Sequence, residues 1–188
     1  CLIIPTLVTH WIILYYYIWE QFDPDFCGNS HELSANDTKI KKIKDSTDSM
    51  YLKKVVKKGV HRWRIKMTHI EGTFNVIIGV WKNSVARSIS TGLIDYDASG
   101  KFYGWGVTYE EITAGDDDDL GDYGERKVKS GDIIEIILDL NKWQLEFKLN
   151  NKSQGIAYEN IERCGYSVCF STYKKGNSMQ LLSYEGTG

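Results

Sequence analysis

Cysteine, proline and histidine are scarce in this chain of 188 residues, which holds 4 Cys, 2 Pro and 4 His. Cys1, Cys27, Cys164 and Cys169 include no C-x-x-C pair, and no histidine lies near them at zinc-finger spacing, so we expect no zinc site. The cysteines are also too sparse for a disulfide framework at this length. We therefore predict free thiols in a reducing, cytoplasmic compartment, with Cys169 as a small core residue of a strand.

The chain also carries little net charge, because 23 Lys and Arg residues stand against 25 Asp and Glu residues, which gives a net charge of −2. A chain so balanced has no overall field that attracts nucleic acid or anionic lipid. Catalytic motifs are missing from the sequence as well: residues 88–92 are not a G-x-S-x-G elbow, and no phosphate-binding glycine loop occurs. His61 is expected to pack beside Trp63 at a strand start. We therefore predict neither an enzyme nor a cofactor.

Residues 1–18 lack Lys, Arg, Asp and Glu and are dominated by Leu, Ile, Val, Tyr and Trp. Eighteen residues are the lower limit for spanning a bilayer, and polar residues such as Thr6, Thr9 and His10 oppose that use. Three alternatives stay open: an anchor or signal remnant, a first strand or helix of the domain, and extra sequence. The predicted division is an apolar segment at 1–19 and one domain at 20–188, with membrane association only if residues 1–18 act as an anchor.

Aromatic residues, by contrast, are abundant, at 13% of the chain with 12 Tyr and 6 Trp. The stretch 143–149 places an aromatic or leucine at every second position and a polar residue between them. A period of two is typical of a half-buried antiparallel strand. The β-branched run at 133–138 and the polar link at 139–142 complete a predicted hairpin, and Asn-Asn at 150–151 closes it.

Further short strands follow at roughly ten-residue spacing, with turn residues between them and no convincing amphipathic helix after residue 20. The fold class is therefore predicted to be all-β, as a two-layer antiparallel β-sandwich. Residues 22–25 and 27–30 are predicted to be turns, and residues 115–122 a long acidic loop. The predicted strands are 32–34, 39–44, 50–56, 61–67, 74–81, 101–107, 133–138, 143–149, 166–171 and 178–184.

Six segments resemble the SPRY domain family in their order and spacing, over residues 20–184. They are GVHRWRI at 59–65, NVIIGV at 75–80, KSGDII at 129–134, LDL at 138–140, LEFKLNN at 145–151 and GIAY at 155–158. Arg64 departs from the family pattern, in which an acidic residue is common. The resemblance implies a bent sandwich of the concanavalin-like jelly-roll type, which recognises a protein or short peptide through loops at one edge and performs no catalysis.

The resemblance also directs attention to the turn after residues 169–172 (CFST), which match the family's F-S strand. In peptide-binding SPRY domains this turn often presents an aromatic residue beside a polar one, and here Tyr173 and Lys174 occupy those positions. A tyrosine offers a large contact area at low entropic cost and keeps a hydroxyl for a specific hydrogen bond. We predict a partner contact, with a tyrosine lying back on the sandwich edge as the alternative.

Residues 102–106 (FYGWG) provide a second candidate. Alternation places Tyr103 and Trp105 on one face and glycines on the other, where another backbone is expected to approach closely. The corresponding strand of some relatives carries Trp residues toward the binding surface, so both aromatics are predicted contacts. The alternative is that they face the core, and it is slightly favoured for Trp105.

Lysine dominates the stretch 39–58, where eight lysines stand against two aspartates. In the family a loop of this region forms one wall of the binding site, so Lys41, Lys42, Lys44 and Asp45 are predicted contacts. Such a basic wall favours an acidic partner. Nucleic acid is not predicted, because the stretch has no arginine. The alternative is a solvated strand edge that lysines protect from aggregation.

The acidic stretch 115–122 departs from a calcium-binding loop, because Leu120 breaks the required pattern and no helices flank it. No metal site is predicted. The leading hypothesis is a non-enzymatic protein-interaction module, with a role in substrate recognition or scaffolding. The runner-up is a carbohydrate-binding, lectin-like sandwich that would use the acidic loop and Trp105.

Overall fold

The computed structural model describes residues 20–72, 76–87, 89, 100–108, 110–113 and 121–187. These residues form thirteen strands and contain no helix, so none of them belongs to a helix long and apolar enough to cross a membrane. The strands are β1 (Phe22–Cys27), β2 (His31–Ser34), β3 (Lys39–Lys42), β4 (Asp48–Leu52), β5 (Val60–His69), β6 (Val76–Lys82), β7 (Phe102–Gly106), β8 (Glu111–Thr113), β9 (Ile133–Asp139), β10 (Gln144–Leu149), β11 (Lys152–Tyr158), β12 (Tyr166–Thr172) and β13 (Ser178–Thr187).

The strands assemble into two antiparallel sheets, as predicted for an all-β sandwich. One sheet has six strands in the order β1-β4-β12-β6-β7-β8, and the other has seven in the order β11-β10-β9-β5-β13-β3-β2. Strands distant in sequence are neighbours in space: β12 lies between β4 and β6, and β13 lies between β5 and β3. The two halves of the chain are therefore interleaved in both sheets.

The predicted hairpin is confirmed. β9 and β10 pair in unbroken register from Gln144 opposite Asp139 to Leu149 opposite Ile134. The turn that closes β10 onto β11 uses Asn150 and Asn151 at φ of 50° and 69°, a left-handed conformation that asparagine tolerates. The two asparagines therefore fix where β10 ends and β11 begins.

The main core fills the space between the sheets and contains the larger aromatic side chains. Trp63 and Trp105 are fully buried, and their indole N–H groups donate to Glu20 at 3.2 Å and to the Tyr123 carbonyl at 3.1 Å. His61 packs beside Trp63, as predicted, with ring centroids 5.8 Å apart. A second apolar layer covers the outer face of the six-stranded sheet. It consists of Tyr51, Ile77, Trp81, Phe102 and the buried Cys169, whose predicted core position is confirmed.

Several predicted boundaries were wrong. Residues 22–25 were predicted to be a turn but belong to β1, which pairs with β4 in an irregular register at Phe22 and Cys27. β4 ends at Leu52 rather than at residue 56. β8 and β11 were not predicted: β8 is short, and β11 is a largely exposed edge strand without clean alternation. Residue 74, the acidic residues 115–120 and the apolar segment 1–19 lie outside the described residues.

The connecting loops gather at two ends of the sandwich, which β12 joins. Thr172 pairs with Val76 and Asp48 at one end, called here the Thr172 end. Tyr166 pairs with Lys82 at the other, called the Tyr166 end. Six residues of extended chain place the two ends about 20 Å apart. This separation decides which predicted site residues can act together.

Candidate functional site

Three loops meet at the Thr172 end and form a surface that we call the rim, defined as residues 43–47, 69–72 and 173–177. The loop after β12 lies against the loop after β3, because the Ser46 amide donates to the Tyr173 carbonyl at 3.2 Å. The chain reverses between β12 and β13 at Gly176, whose φ of 99° is a conformation that glycine adopts without strain. Backbone hydrogen bonds from Lys42 to Asn177 and from Gly176 to Lys42 extend the sheet into this turn.

Asp45 links two loops of the rim, residues 43–47 and residues 173–177. Its carboxylate accepts a hydrogen bond from the Lys175 amide at 2.6 Å and from the Lys174 ammonium at 3.3 Å. The backbone hydrogen bond and the neighbouring lysine lower the pKa of this exposed carboxyl below its usual range. The structure thus brings Asp45 and Lys174, two of the predicted contact residues, into direct contact with each other.

The third loop of the rim was not predicted from the sequence. The Glu71 amide donates to the Asn177 side-chain oxygen at 2.6 Å, and His69 lies 3.0 Å from the Glu71 carboxylate. His69 and Glu71 are largely exposed on the surface. They reach the rim only because β5 pairs with β13, so that His69 stands opposite Ser178. No local sequence signal reports a pairing between strands more than 100 residues apart.

Tyr173 is the exposed aromatic side chain of the rim. It is 36% exposed, one of three large hydrophobic side chains exposed in the described part of the chain. The Lys174 ammonium lies 5.2 Å from its ring centroid, within the range of a cation–π contact. Tyr173 is therefore exposed on the rim, where charged groups border its aromatic face.

Beneath the rim, charged and polar side chains enter the space between the sheets. Lys42 is buried, although its neighbour Lys41 is exposed, and its ammonium lies 3.6 Å from the Asp48 carboxylate of the opposite sheet. The Ser30 hydroxyl also contacts Asp48. Burial alone would raise the pKa of Asp48, but Ser30 and Lys42 together lower it, whereas burial lowers the pKa of Lys42. The pair therefore joins β3 to β4 across the core.

His31 completes this buried polar group. Its side chain is only 1% exposed, its Nδ1 lies 3.3 Å from the Gly28 carbonyl, and Nδ1 lies 4.0 Å from Asp48. Burial and the nearby Lys42 lower the pKa of His31 to about 4. His31 is therefore neutral near pH 7, and Asp48 balances the charge of Lys42 alone.

The structure corrects three of the predicted contacts. Trp105 and Lys42 are buried, at 0% and 1% exposure, so neither can touch a partner on the surface. Tyr103 pairs opposite Val80 near the Tyr166 end, far from Tyr173. It is partly buried against Tyr158 and Tyr166, and its hydroxyl accepts a hydrogen bond from the Glu162 amide. The alternation predicted for β7 was correct, but the face that carries Tyr103 and Trp105 points into the core.

The predicted residues that remain together on the surface are Lys44, Asp45, Tyr173 and Lys174, with Lys41 close by on β3. Lys41 stands opposite Ser178, the first residue after the rim turn. Within the described residues, no group of three or more His, Cys, Asp or Glu side chains could hold a metal ion. The arrangement therefore offers an aromatic face, cations and fixed backbone groups for noncovalent recognition.

Comparison with protein families gives a match to the SPRY domain over residues 60–185. This range begins at β5 and includes both arms of the predicted hairpin, β12 and β13. The strands β1 to β4, which supply Asp45 and the buried Lys42–Asp48 pair, precede it. One side of the rim therefore lies within the matched region and the other side lies before it.

Solved structures share the fold at low sequence identity. The SPRY domain of human HERC1 superposes with a TM-score of 0.71 at 13% identity, covering 86% of this chain and 97% of that chain. The TRIM65 PSpry domain gives 0.69 at 17% identity, covering 97% and 98%. The Neuralized NHR1 domain of Drosophila melanogaster gives 0.61 at 12% identity, covering 87% and 97%. At these low identities the similarity shows a shared fold and nothing further about function.

Proposed function

The chain belongs to the SPRY domain family, and on that premise we propose that it binds a protein or short peptide at the rim and catalyses no reaction. The family is commonly used for protein–protein interaction. Because fold alone does not define function, the proposal for this chain depends on one feature of its own surface. That feature is Tyr173, an exposed aromatic on a turn fixed by hydrogen bonds to Asp45 and Ser46.

A fixed turn favours affinity because the loop is already ordered before the partner binds. The hydrogen bonds between the loops 43–47 and 173–177 hold the backbone on both sides of Tyr173 in place. Ordering a mobile side chain or loop on binding costs about 0.5–1.5 kcal/mol for each side chain, and a preformed turn avoids part of that cost. An aromatic anchor of this kind is a common energetic centre of interfaces.

The charges around Tyr173 favour a partner segment that combines an apolar or aromatic residue with acidic ones. Lys41, Lys44 and Lys175 are exposed and form no ion pair with any described residue, and Lys174 shares Asp45 with the Lys175 amide. Complementary charge steers encounter and register more than it adds affinity. A role in substrate recognition or scaffolding, in a reducing cytoplasmic environment suited to the free Cys27, Cys164 and Cys169, is part of this proposal.

Carbohydrate binding, the alternative function, lacks the exposed aromatic residue on which it was predicted to depend. Trp105 was expected to stack on a sugar, but it is fully buried and its indole donates to the Tyr123 carbonyl. The acidic residues 115–120 lie outside the described residues. No observation on the described surface favours this alternative over the rim.

Selection from a displayed peptide library, followed by affinity measurements on variants, tests the proposal. We expect the full chain to enrich peptides with an aromatic or apolar residue flanked by Asp or Glu. Tyr173→Ala should weaken the selected peptide at least tenfold, since anchor residues commonly contribute 2 kcal/mol or more.

The matched control is Tyr103→Phe, which removes a hydroxyl at the Tyr166 end and should leave the affinity unchanged. Circular dichroism must show that both variants keep the β-sheet spectrum. Equal loss of affinity in the two variants, or an enriched peptide indifferent to Tyr173→Ala, would reject the rim as the binding surface.

A further inference from the structure

A strip of uncharged residues leads out of the rim along the outer face of the seven-stranded sheet. Met179 and Leu181 of β13 are buried in the main core. Ser178, Gln180 and Leu182 alternate with them and therefore lie on the opposite, outer face of the sheet. These three residues, called here the lane, start directly after the rim turn and cover about 13 Å of the strand.

Leu182 gives the lane an apolar far end. Its side chain is 40% exposed, and the register of β13 against β5 shifts at this residue, between Leu181 and Ser183. A bulge in a strand redirects side chains and is a specific feature of a fold rather than a defect. The lane therefore runs from the rim, which carries the exposed Tyr173, to a second exposed apolar group.

Cations border the lane on both sides. On β3, Lys41 stands opposite Ser178 and Lys39 stands opposite Gln180. On β5, Lys66 stands opposite Gln180 from the other side. Because neighbouring strands lie about 4.8 Å apart, the long side chains of Lys39 and Lys66 can both reach a carboxylate held above Gln180.

These cations are not neutralised within the described part of the chain. Lys39, Lys41 and Lys66 form no ion pair there. Arg64, two residues before Lys66, donates to the Asn151 side-chain oxygen at 3.4 Å, and its buried Nε has no hydrogen-bond partner among the described residues. Positive charge on both sides of the lane is therefore available to a partner.

Acidic residues on this face are fewer than the cations. On the outer face, β2, β3, β5 and β13 carry two carboxylates: Glu32, opposite Lys41, and Glu185, opposite Arg62. Glu135, on the next strand, lies 3.9 Å from Arg62. With Arg62 included, the face around the lane holds five cations and three carboxylates, so its net charge is +2.

Carboxylates near the ends of the lane already have partners. In the rim, Asp45 bonds to the turn between β12 and β13. Three further carboxylates are paired: Glu71 with His69 at 3.0 Å, Asp132 with Arg126 at 2.7 Å, and Asp37 with Lys53 at 4.0 Å. The two rows of cations beside the lane therefore keep their charge.

We propose that the peptide bound at the rim continues along the lane as an extended chain, with acidic side chains between the two rows of cations and an apolar side chain on Leu182. The inference rests on the proposed function, because one partner occupies both surfaces. An extended chain repeats its side chains on one side about every 7 Å, and the outward residues of β13, β3 and β5 repeat with the same spacing. Complementary charge then fixes the register of the peptide.

The register defines the class of peptide. An acidic residue above Ser178 lies beside Lys41, and a second one, two positions along, lies between Lys39 and Lys66. The next residue on the same side reaches Leu182. The fitting segment therefore reads acid-x-acid-x-apolar, and it adjoins the aromatic or apolar residue that contacts Tyr173.

A single-stranded nucleic acid also repeats negative charge along an extended backbone, but it is commonly held by aromatic side chains on which the bases stack. The lane and the cations beside it include no aromatic residue, and the far end of the lane is a leucine. This composition favours a peptide over a nucleic acid.

Selection from the displayed peptide library on variants of the full chain tests the proposal. We expect the wild-type chain to enrich the acid-x-acid-x-apolar pattern. Lys39→Gln with Lys66→Gln should lose the acidic enrichment and weaken the peptide selected on the wild type about fivefold, a difference that shrinks as salt is added. Leu182→Ser should lose the enrichment of the terminal apolar residue.

The matched control is Lys57→Gln with Lys58→Gln, because both lysines are exposed and precede β5 at the end of the sandwich away from the rim. It makes the same change in net charge and should leave the affinity within about twofold of the wild-type value, since screening weakens distant charges. Circular dichroism must show an unchanged β-sheet spectrum. Lys66→Gln alone, at an exposed position, is the second variant if the double variant does not fold.

Tyr173→Ala separates this inference from the proposed function. A peptide weakened by Tyr173→Ala but not by the variants of the lane would leave the rim in place and overturn the lane. A peptide indifferent to all of them would reject the proposed function itself. Equal loss in the control, or dependence on the lane without Tyr173, would overturn the continuous site. So would capture of a mixed-sequence single-stranded oligonucleotide through Lys39 and Lys66 with no acidic pattern in the selected peptides.

Discussion

At the scale of single residues, the buried Lys42–Asp48 pair is the main electrostatic feature beneath the rim. Lys42 has no exposed side-chain surface, and its ammonium makes no hydrogen bond with any described group, so Asp48 at 3.6 Å is its charge partner. Removing one partner of a buried pair leaves an uncompensated charge, whereas replacing both partners with apolar residues of similar volume is often neutral. A single substitution and a double substitution are therefore expected to differ sharply.

Asp48→Asn should lower the free energy of unfolding by about 3 kcal/mol or more, because it leaves the Lys42 ammonium buried and unpaired. Lys42→Met combined with Asp48→Leu, which removes both charges, should change it by about 1 kcal/mol at most, in either direction. Urea unfolding measures both, with Lys41→Met on the exposed face of the same strand as the control. Equal destabilisation by Asp48→Asn and by the double variant would contradict the assigned pairing.

His31 gives the same region a dependence on pH. Its pKa in the folded state is lowered to about 4 by burial and by Lys42, below its ordinary value of about 6.5. The neutral form stabilises the fold fully above pH 6.5, and this contribution is lost as the pH falls toward 4, because the unfolded chain takes up the proton first. The loss amounts to about 3 kcal/mol at most.

The wild-type chain should therefore lose its stability advantage over His31→Gln between pH 6.5 and pH 4. Urea unfolding at a series of pH values provides the measurement, and His69→Gln, on the exposed part of the rim, serves as the control. A difference between wild type and His31→Gln that stays constant over this range would show that His31 does not titrate as described.

At the scale of elements, β6 and β7 approach each other through paired glycines. Gly79 stands opposite Gly104, and a β-carbon on Gly79 would collide with the Tyr103 carbonyl and the Gly104 backbone. A β-carbon on Gly104 would instead meet the side chains of Phe102 and Ile77 at 3.0–3.2 Å. Side chains can adjust where backbone cannot, so the two positions differ in tolerance.

Gly79→Ala is expected to destabilise the domain by about 3 kcal/mol, since overpacking against backbone forces the strands apart. Gly104→Ala should cost about 1 kcal/mol and is the matched comparison in the neighbouring strand. Thermal unfolding followed by circular dichroism ranks them. A Gly104→Ala variant less stable than Gly79→Ala would show that the collision with backbone at Gly79 does not determine which position tolerates a side chain.

How far the sequence predicts the elements depends on how cleanly each one alternates. β10 was predicted because its apolar residues recur with a period of two, and β5 alternates in the same way, whereas β9 was predicted from its β-branched apolar run. β1 was missed because Pro24 and two aspartates are typical of turns, whereas its pairing with β4, distant in sequence, helps to keep it extended. β11 was missed because an exposed edge strand has no buried face to impose a pattern.

The same reasoning explains the outcome at the site. Lys42 shares its strand face with the buried Ile40, so alternation already indicated an inward position that the predicted list did not use. For Trp105 alternation could not help, because both faces of β7 are largely buried, one in the main core and one under the second apolar layer. The distance between Tyr103 and Tyr173 depends on the strand order β12-β6-β7, which no local pattern contains.

At the scale of the whole molecule, the proposed binding surface lies at one end of the sandwich. The rim presents Tyr173 beside Asp45 and Lys174, whereas Tyr103 packs against Tyr158 and Tyr166 near the Tyr166 end. Both sheets run between the two ends, and the main core fills the space between the sheets.

Hydrogen–deuterium exchange on the full chain, with and without a peptide selected from the library, tests the central claim most directly. The account predicts slower exchange on peptide binding in residues 43–47 and 173–177, with no change in residues 101–104 or 158–163. Protection confined to the segments around Tyr103, with the rim unchanged, would contradict the claim that this domain recognises its partner at the Thr172 end.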